Sequence, residues 1–168
     1  QLEAVREKLT ELNPGFDGVF LAADMSKNVV ISNGTVFALG FNVNQVSDIS
    51  PVRVFSNVEF LTFGCPSYRL GELSDLSPLR GMAVRNLNLY RTIVSDLAPL
   101  ADCPNLAMVK ITSTNVTQAD VDALQKALPN CSMNWDGTTD AAGAVRRAAE
   151  CILSNKSKGW TLGIVFDQ

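Results

Sequence analysis

The sequence predicts a repeat-built α/β solenoid with a parallel sheet, and three observations predict it. A short motif recurs, as Ser-Asp-Ile-Ser-Pro-Val at 47–52, Ser-Asp-Leu-Ser-Pro-Leu at 74–79 and Ser-Asp-Leu-Ala-Pro-Leu at 95–100. Its aspartates, Asp48, Asp75 and Asp96, lie 27 and 21 residues apart, and a degenerate fourth copy puts Asp120 a further 24 residues on. Ahead of each anchor stands an apolar pattern whose last two positions are two residues apart, as in a strand with one face buried. A nucleophile motif has no reason to occur three times in one small chain. A unit that buries its apolar face by stacking on copies of itself does.

Composition sets the outer bounds. The 168 residues, 46% of them hydrophobic, suffice for one domain with a sizeable core. There is no run of eighteen apolar residues for a membrane span and no charged leader followed by an apolar stretch. A chain that begins at Gln1 is expected to come from a longer product. The net charge of −3 argues against a binder of phosphate backbones, so nucleic acid is not an expected partner. Histidine is absent, which removes the commonest general base and the commonest metal ligand.

Taken in order, the elements begin with a helix, because Leu2, Val5, Leu9 and Leu12 recur on one helical face. The turn Asn-Pro-Gly-Phe-Asp-Gly at 13–18 leads into a less regular stretch, 19–32. Four strands then follow the apolar pattern: Val36, Leu39 and Phe41; Val58, Leu61 and Phe63; Val84, Leu87 and Leu89; Leu106, Val109 and Ile111. Cys131, Met133 and Trp135 form a last copy that has lost one residue. In the recurring motif, the first serine and the aspartate lie beyond the strand, where they can bond backbone amides of the turn. The second serine suits an N-cap and the proline the first position of a short helix. Leu76 and Leu79 turn back into the core. Asp120 and Asp122 fall in the first turn of another helix, where negative charge suits the dipole. Finally, Ala141, Val145, Ala148, Ala149, Ile152 and Leu153 predict a helix over 141–153, and an apolar strand follows at 160–166. The division expected is an N-terminal cap at 1–35, repeats at 36–137, and a helix–strand extension or the start of a further unit at 138–168.

The stretch 84–100, VRNLNLYRTIVSDLAPL, resembles a leucine-rich repeat, whose skeleton is L-x-x-L-x-L-x-x-T-x-V-x-x-L-x-x-L. Thr92 and Thr114 stand where that family places a residue bonding to backbone in the turn after the strand. More narrowly, ELNPGFDG at 11–18, DISPVR at 48–53, DLSPLRGM at 75–82 and ALPNCSMNW at 127–135 resemble short bacterial modules of planctomycete type. The resemblance covers roughly 2–137. It implies a short horseshoe with its parallel sheet on the concave face, and a module of the kind appended to many proteins, kinases among them.

In such a horseshoe the positions between the apolar ones face outward on the concave sheet. That register exposes Asn42, Glu59, Thr62, Asn86, Asn88, Tyr90, Arg91, Lys110 and Thr112, with Tyr90 and Arg91 the most suggestive pair. A second candidate is the insertion at 64–73, which places Tyr68 and Arg69 on an exposed loop. The bland alternative is that these are solvated positions of a curved sheet and that the insertion is ordinary length variation.

No chemistry-bearing constellation competes. Cys65, Cys103, Cys131 and Cys151 form no CxxC pair, so a zinc site is not expected and small thiols packed in the core are. The column of Asp48, Asp75 and Asp96 lacks the convergent loop that calcium needs, and capping accounts for it. Residues 13–18 lack the lysine of a phosphate loop. No metal, no cofactor and no catalytic residue is therefore expected. The reading is a non-enzymatic module that binds a protein partner through the concave sheet or the 64–73 loop. The alternative is a structural protein whose units stack or self-associate through their terminal caps. A reducing, cytoplasmic compartment is expected, with a secreted or cell-surface location the alternative. In that alternative the Asn-x-Ser/Thr triplets at Asn33, Asn115, Asn130 and Asn155 would matter; otherwise they are coincidence.

Overall fold

A computed structural model describes residues 1–21, 29–65 and 70–137. The helix and strand expected at 141–153 and 160–166 lie outside the described residues, as do Tyr68, Arg69 and Cys151.

One six-stranded sheet runs in chain order: β1 (Val30–Ser32), β2 (Thr35–Asn42), β3 (Phe60–Gly64), β4 (Asn86–Asn88), β5 (Met108–Lys110) and β6 (Ser132–Asn134). From β2 to β6 every pairing is parallel, and the register aligns Leu39, Leu61, Leu87, Val109 and Met133 across the strands. All twelve apolar positions of the four full repeats are buried. This is the α/β solenoid of leucine-rich pattern that the periodicity predicts. Each repeat contributes one rung, and the rungs share one continuous core.

The returns run along the opposite side as short 3-10 helices at Ser50–Val54, Ser77–Leu79 and Ala98–Asp102. In the fourth return the longer helix α2 (Gln118–Ala127) takes their place. The aspartates do what their position predicts. Asp48, Asp75 and Asp96 each accept a hydrogen bond at 2.8 Å from the amide two residues on, in Ser50, Ser77 and Ala98. The second serine is not the N-cap. Ile49, Leu76 and Leu97 hold the cap positions without side-chain bonds, so Ser50 and Ser77 already lie inside the helix and the proline comes second. The aspartate's reach across two residues supplies the bond that a capping serine would have made. Asp120 plays a different part, forming a reciprocal capping box with Thr117. Thr92 and Thr114, both fully buried, donate to the carbonyls of Leu89 and Ile111 at 3.2 and 3.0 Å.

At the N-terminal end, α1 (Leu2–Leu12) buries Val5 and Leu9. Leu12 stays 39% exposed although it shares their face, because the chain turns away at the next residue. Asn13 makes that turn and is itself buried. Its Nδ2 donates to the carbonyls of Leu9 (2.9 Å) and Asp48 (2.8 Å), and its Oδ1 accepts from the amides of Ser47 and Asp48, both at 3.0 Å. Phe16, Phe20, Phe41 and Phe63 then pack as a chain of tilted rings with centroids 4.9–6.0 Å apart. The stretch expected to be irregular ends in a strand. β1 runs antiparallel to β2 through a two-residue turn, Asn33 (φ 50°) and Gly34 (φ 74°).

Candidate interaction surface

The alternation within each strand sorts its residues between core and outer face. The register therefore lines up the outward side chains as rows crossing the strands. One row reads Ala38, Phe60, Asn86, Met108 and Ser132, and the next Gly40, Thr62, Asn88, Lys110 and Asn134. Just beyond lie Asn42 and Gly64, then Tyr90 and Thr112, joined to the ladder through backbone bonds of Cys65 and Arg91.

The middle of this face holds most of the expected set together. Asn86, Asn88, Tyr90, Arg91, Lys110 and Thr112 are all half-buried on β4, β5 and the turns after them. Tyr90 is flanked by two cations, the Arg91 guanidinium 5.0 Å and the Lys110 ammonium 5.7 Å from its ring centroid. A Cβ on Gly64 would stand 3.7 Å from Tyr90 Cδ1, so the ring leans over space the glycine leaves open. Arg91 reaches this position from a left-handed backbone, φ 54°, and Ser113 repeats it one rung on at φ 57°.

One expectation needs correction, and two further residues stand apart from the central set. Thr62 is not exposed: it retains 2% of its surface, since its short side chain stands between Phe60 and Asn88. Asn42 lies two strands from Tyr90, and its Oδ1 accepts from the Asn44 amide at 3.0 Å, a turn-forming role. Glu59 sits where the strand begins, its carbonyl accepting from both Arg85 and Asn86, and so lines a groove at the sheet's entry edge.

Met108 and Phe60 were not among the expected residues. Met108 is 47% exposed in the centre of the face, and Phe60 stacks on Phe37 with ring centroids 5.2 Å apart. With Thr62, Asn86, Asn88 and Lys110 they line a recess of about 180 Å³. Their signal was available. Each is an apolar residue at a position where the alternation calls for an outward side chain, which is what a contact surface looks like. Asn88 adds a polar anomaly, for its Oδ1 is buried with no hydrogen-bond partner. The entry-edge groove is wider, about 610 Å³, lined by Phe37, Glu59, Arg85, Asn57, Asn105 and the Ser32–Thr35 turn among others.

Among the described residues this geometry assembles no catalytic set. The repeat aspartates are spent on backbone amides, and among the described residues no three His, Cys, Asp or Glu cluster to hold a metal. Cys103 and Cys131 are buried free thiols, and Cys65 is buried with its Sγ donating to the Asn44 Oδ1. Burial pushes the Cys103 thiol above its ordinary pKa, with the Asp102 carboxylate adding to the effect, and burial raises Cys131 as well. Among the described residues no helix is long and apolar enough to cross a membrane.

No family model matches the chain, and no curated protein does. Among solved structures it is similar to internalin C2 of Listeria monocytogenes, at 24% identity and a TM-score of 0.49, over 60% of this chain and 42% of that one. It is also similar to internalin F of the same organism, at 22% identity and a TM-score of 0.44, over 57% of this chain and 26% of that one. The match thus spans less than half the length of either internalin. At these scores the likeness adds nothing to the fold, which rests on the repeat ladder itself.

Proposed function

We propose that this protein is a non-enzymatic interaction module whose concave sheet binds a partner protein. One observation carries the reading. A rigid sheet presents an exposed methionine beside half-buried Tyr90, Lys110 and Asn88, the last with an acceptor lacking any donor. Aromatic and methionine side chains are what protein interfaces concentrate. Residues 68 and 69 of the 64–73 insertion remain proposed as the alternative contact surface.

The experiment is retention of proteins from a native lysate on immobilised protein, repeated with two variants. A partner that is lost with Lys110→Glu but kept with Arg53→Ala, a change on the return side, supports the concave face. A partner retained equally by both variants overturns it.

A second reading, self-association through the terminal faces, is favoured by β1. Its Val30 and Ile31 are 44% and 58% exposed on the sheet's edge strand. Light scattering across a concentration series decides. A monomer throughout removes this reading, and open-ended growth suppressed by Ile31→Lys sustains it.

A further inference from the structure

We propose that the concave face selects a short, extended, acidic segment of its partner, seating one aliphatic side chain against Phe60 and Met108 and one carboxylate on Lys110. The proposal rests on the concave-face reading above and names the chemistry that face prefers.

Charge supplies the first argument. Lys110 lies over the Tyr90 ring with Arg91 on the same ring, and among the described residues no carboxylate forms an ion pair with Lys110. Asp136 accepts from the Ser113 amide at 3.0 Å, and Glu59 lies at the entry edge beside Arg85. Lys110 is therefore a cation with no ion pair among the described residues, at the centre of the face of a chain whose net charge is −3. An acidic ligand is favoured there over a basic one both in encounter and once bound.

The second argument is independent of charge. Asn88 pairs in register with Lys110, and its Oδ1 is buried without a donor. Such an acceptor stays unfavourable until neighbouring side chains part and a donor reaches it. An extended chain carries free backbone N–H groups, whereas a helix interior has already spent its own. This favours an extended ligand over a helical one.

Volume gives the third. The recess bounded by Phe60, Asn86, Asn88, Met108 and Lys110 measures about 180 Å³. That is below the roughly 300 Å³ at which small-molecule sites begin, and it suits one side chain. Methionine lining lets the recess adapt to branched or unbranched aliphatics.

The test is selection of peptides from a random displayed library on the native protein, then anisotropy titration of the enriched peptides. The expected pool is acidic with an aliphatic residue, loses affinity as salt rises, and binds about tenfold or more weakly to Lys110→Glu and to Asn88→Ala. Melting temperature is recorded for each variant, so that loss of fold is not read as loss of site. A neutral or basic pool that is lost with Met108→Asp overturns the acidic ligand while leaving the concave face in place. A pool indifferent to Met108→Asp, Asn88→Ala and Lys110→Glu overturns both readings. Failure to enrich any peptide overturns the extended-segment proposal alone, since a folded partner could still use the face.

Discussion

Asn13 shows how much one side chain can hold when every polar atom is used. Its carboxamide ties the end of α1 to the first return through four hydrogen bonds of 2.8–3.0 Å, and it is 3% exposed. Asn13→Ala would strand the amides of Ser47 and Asp48 away from water, and the expected loss is on the order of 2–4 kcal/mol. Chemical denaturation checks this against Asn42→Ala, which gives up one half-buried turn bond at about 1 kcal/mol. Equal losses would show that the buried network carries no special weight. Cys103 gives a pH-dependent counterpart. Its thiol ionises less readily in the folded chain than in the unfolded one, chiefly because it is buried. Below about pH 8.5 both states keep the proton and no slope arises. Above that the unfolded chain loses its protons first, so stability should fall as pH rises towards the higher folded value. The denaturation midpoint should drop more steeply above about pH 8.5 in the native protein than in Cys103→Ala. Identical slopes would assign the fall to other groups.

The strands and returns were the most legible parts of the sequence, because their periodicity is a direct print of burial. Leu87 and Val109 occupy equivalent rungs, retain almost no exposed surface and pair in register. Replacing either by Ala should cost about 2–5 kcal/mol. Lys110→Ala, on the other face of the same strands, should stay within about half a kcal/mol, and Asn88→Ala, which removes an orphan acceptor, should cost nothing or stabilise. Thermal melts that rank the two pairs equally would mean that the strand register is wrong. The edge element was less legible for a definite reason. β1 has no rung periodicity, and its mark is the Asn33–Gly34 pair between apolar runs, a hairpin signal that belongs to turn chemistry rather than to repeats. The same limit explains the site. Alternation says that Thr62 faces outward, but it does not say that Phe60 and Asn88 will cover it. It marks Met108 as an outward apolar residue, but its meaning depends on neighbours contributed by other rungs.

Across the whole molecule the rungs are not equally well supported, and the difference has a direction. Each strand is held by its neighbours, so stability should be greatest where both sides are packed and a further layer lies above. β2 and β3 meet that condition, since Phe41 and Phe63 join Phe16 and Phe20 in one aromatic cluster. β4 keeps two parallel neighbours without the aromatic layer. Among the described residues β6 is the least buried of the parallel strands. Met133 and Trp135 are only partly buried where Leu87 and Leu89 are fully so, and the Trp135 Nε1 is enclosed without an acceptor. At the other edge β1 is exposed at all three residues. Opening free energies should follow this order, from near zero at a fraying edge to the global value in the packed rungs. Native-state hydrogen exchange should therefore find the slowest amides at Leu61, Phe63 and Leu87, intermediate ones at Val109, and the fastest at Ile31 and Met133. Asn13→Ala should speed exchange in β2 and β3 before it reaches β5, because it unties the N-terminal end first. Uniform protection from β1 to β6, or an equal response of all rungs to Asn13→Ala, would show a single cooperative block in place of a graded stack.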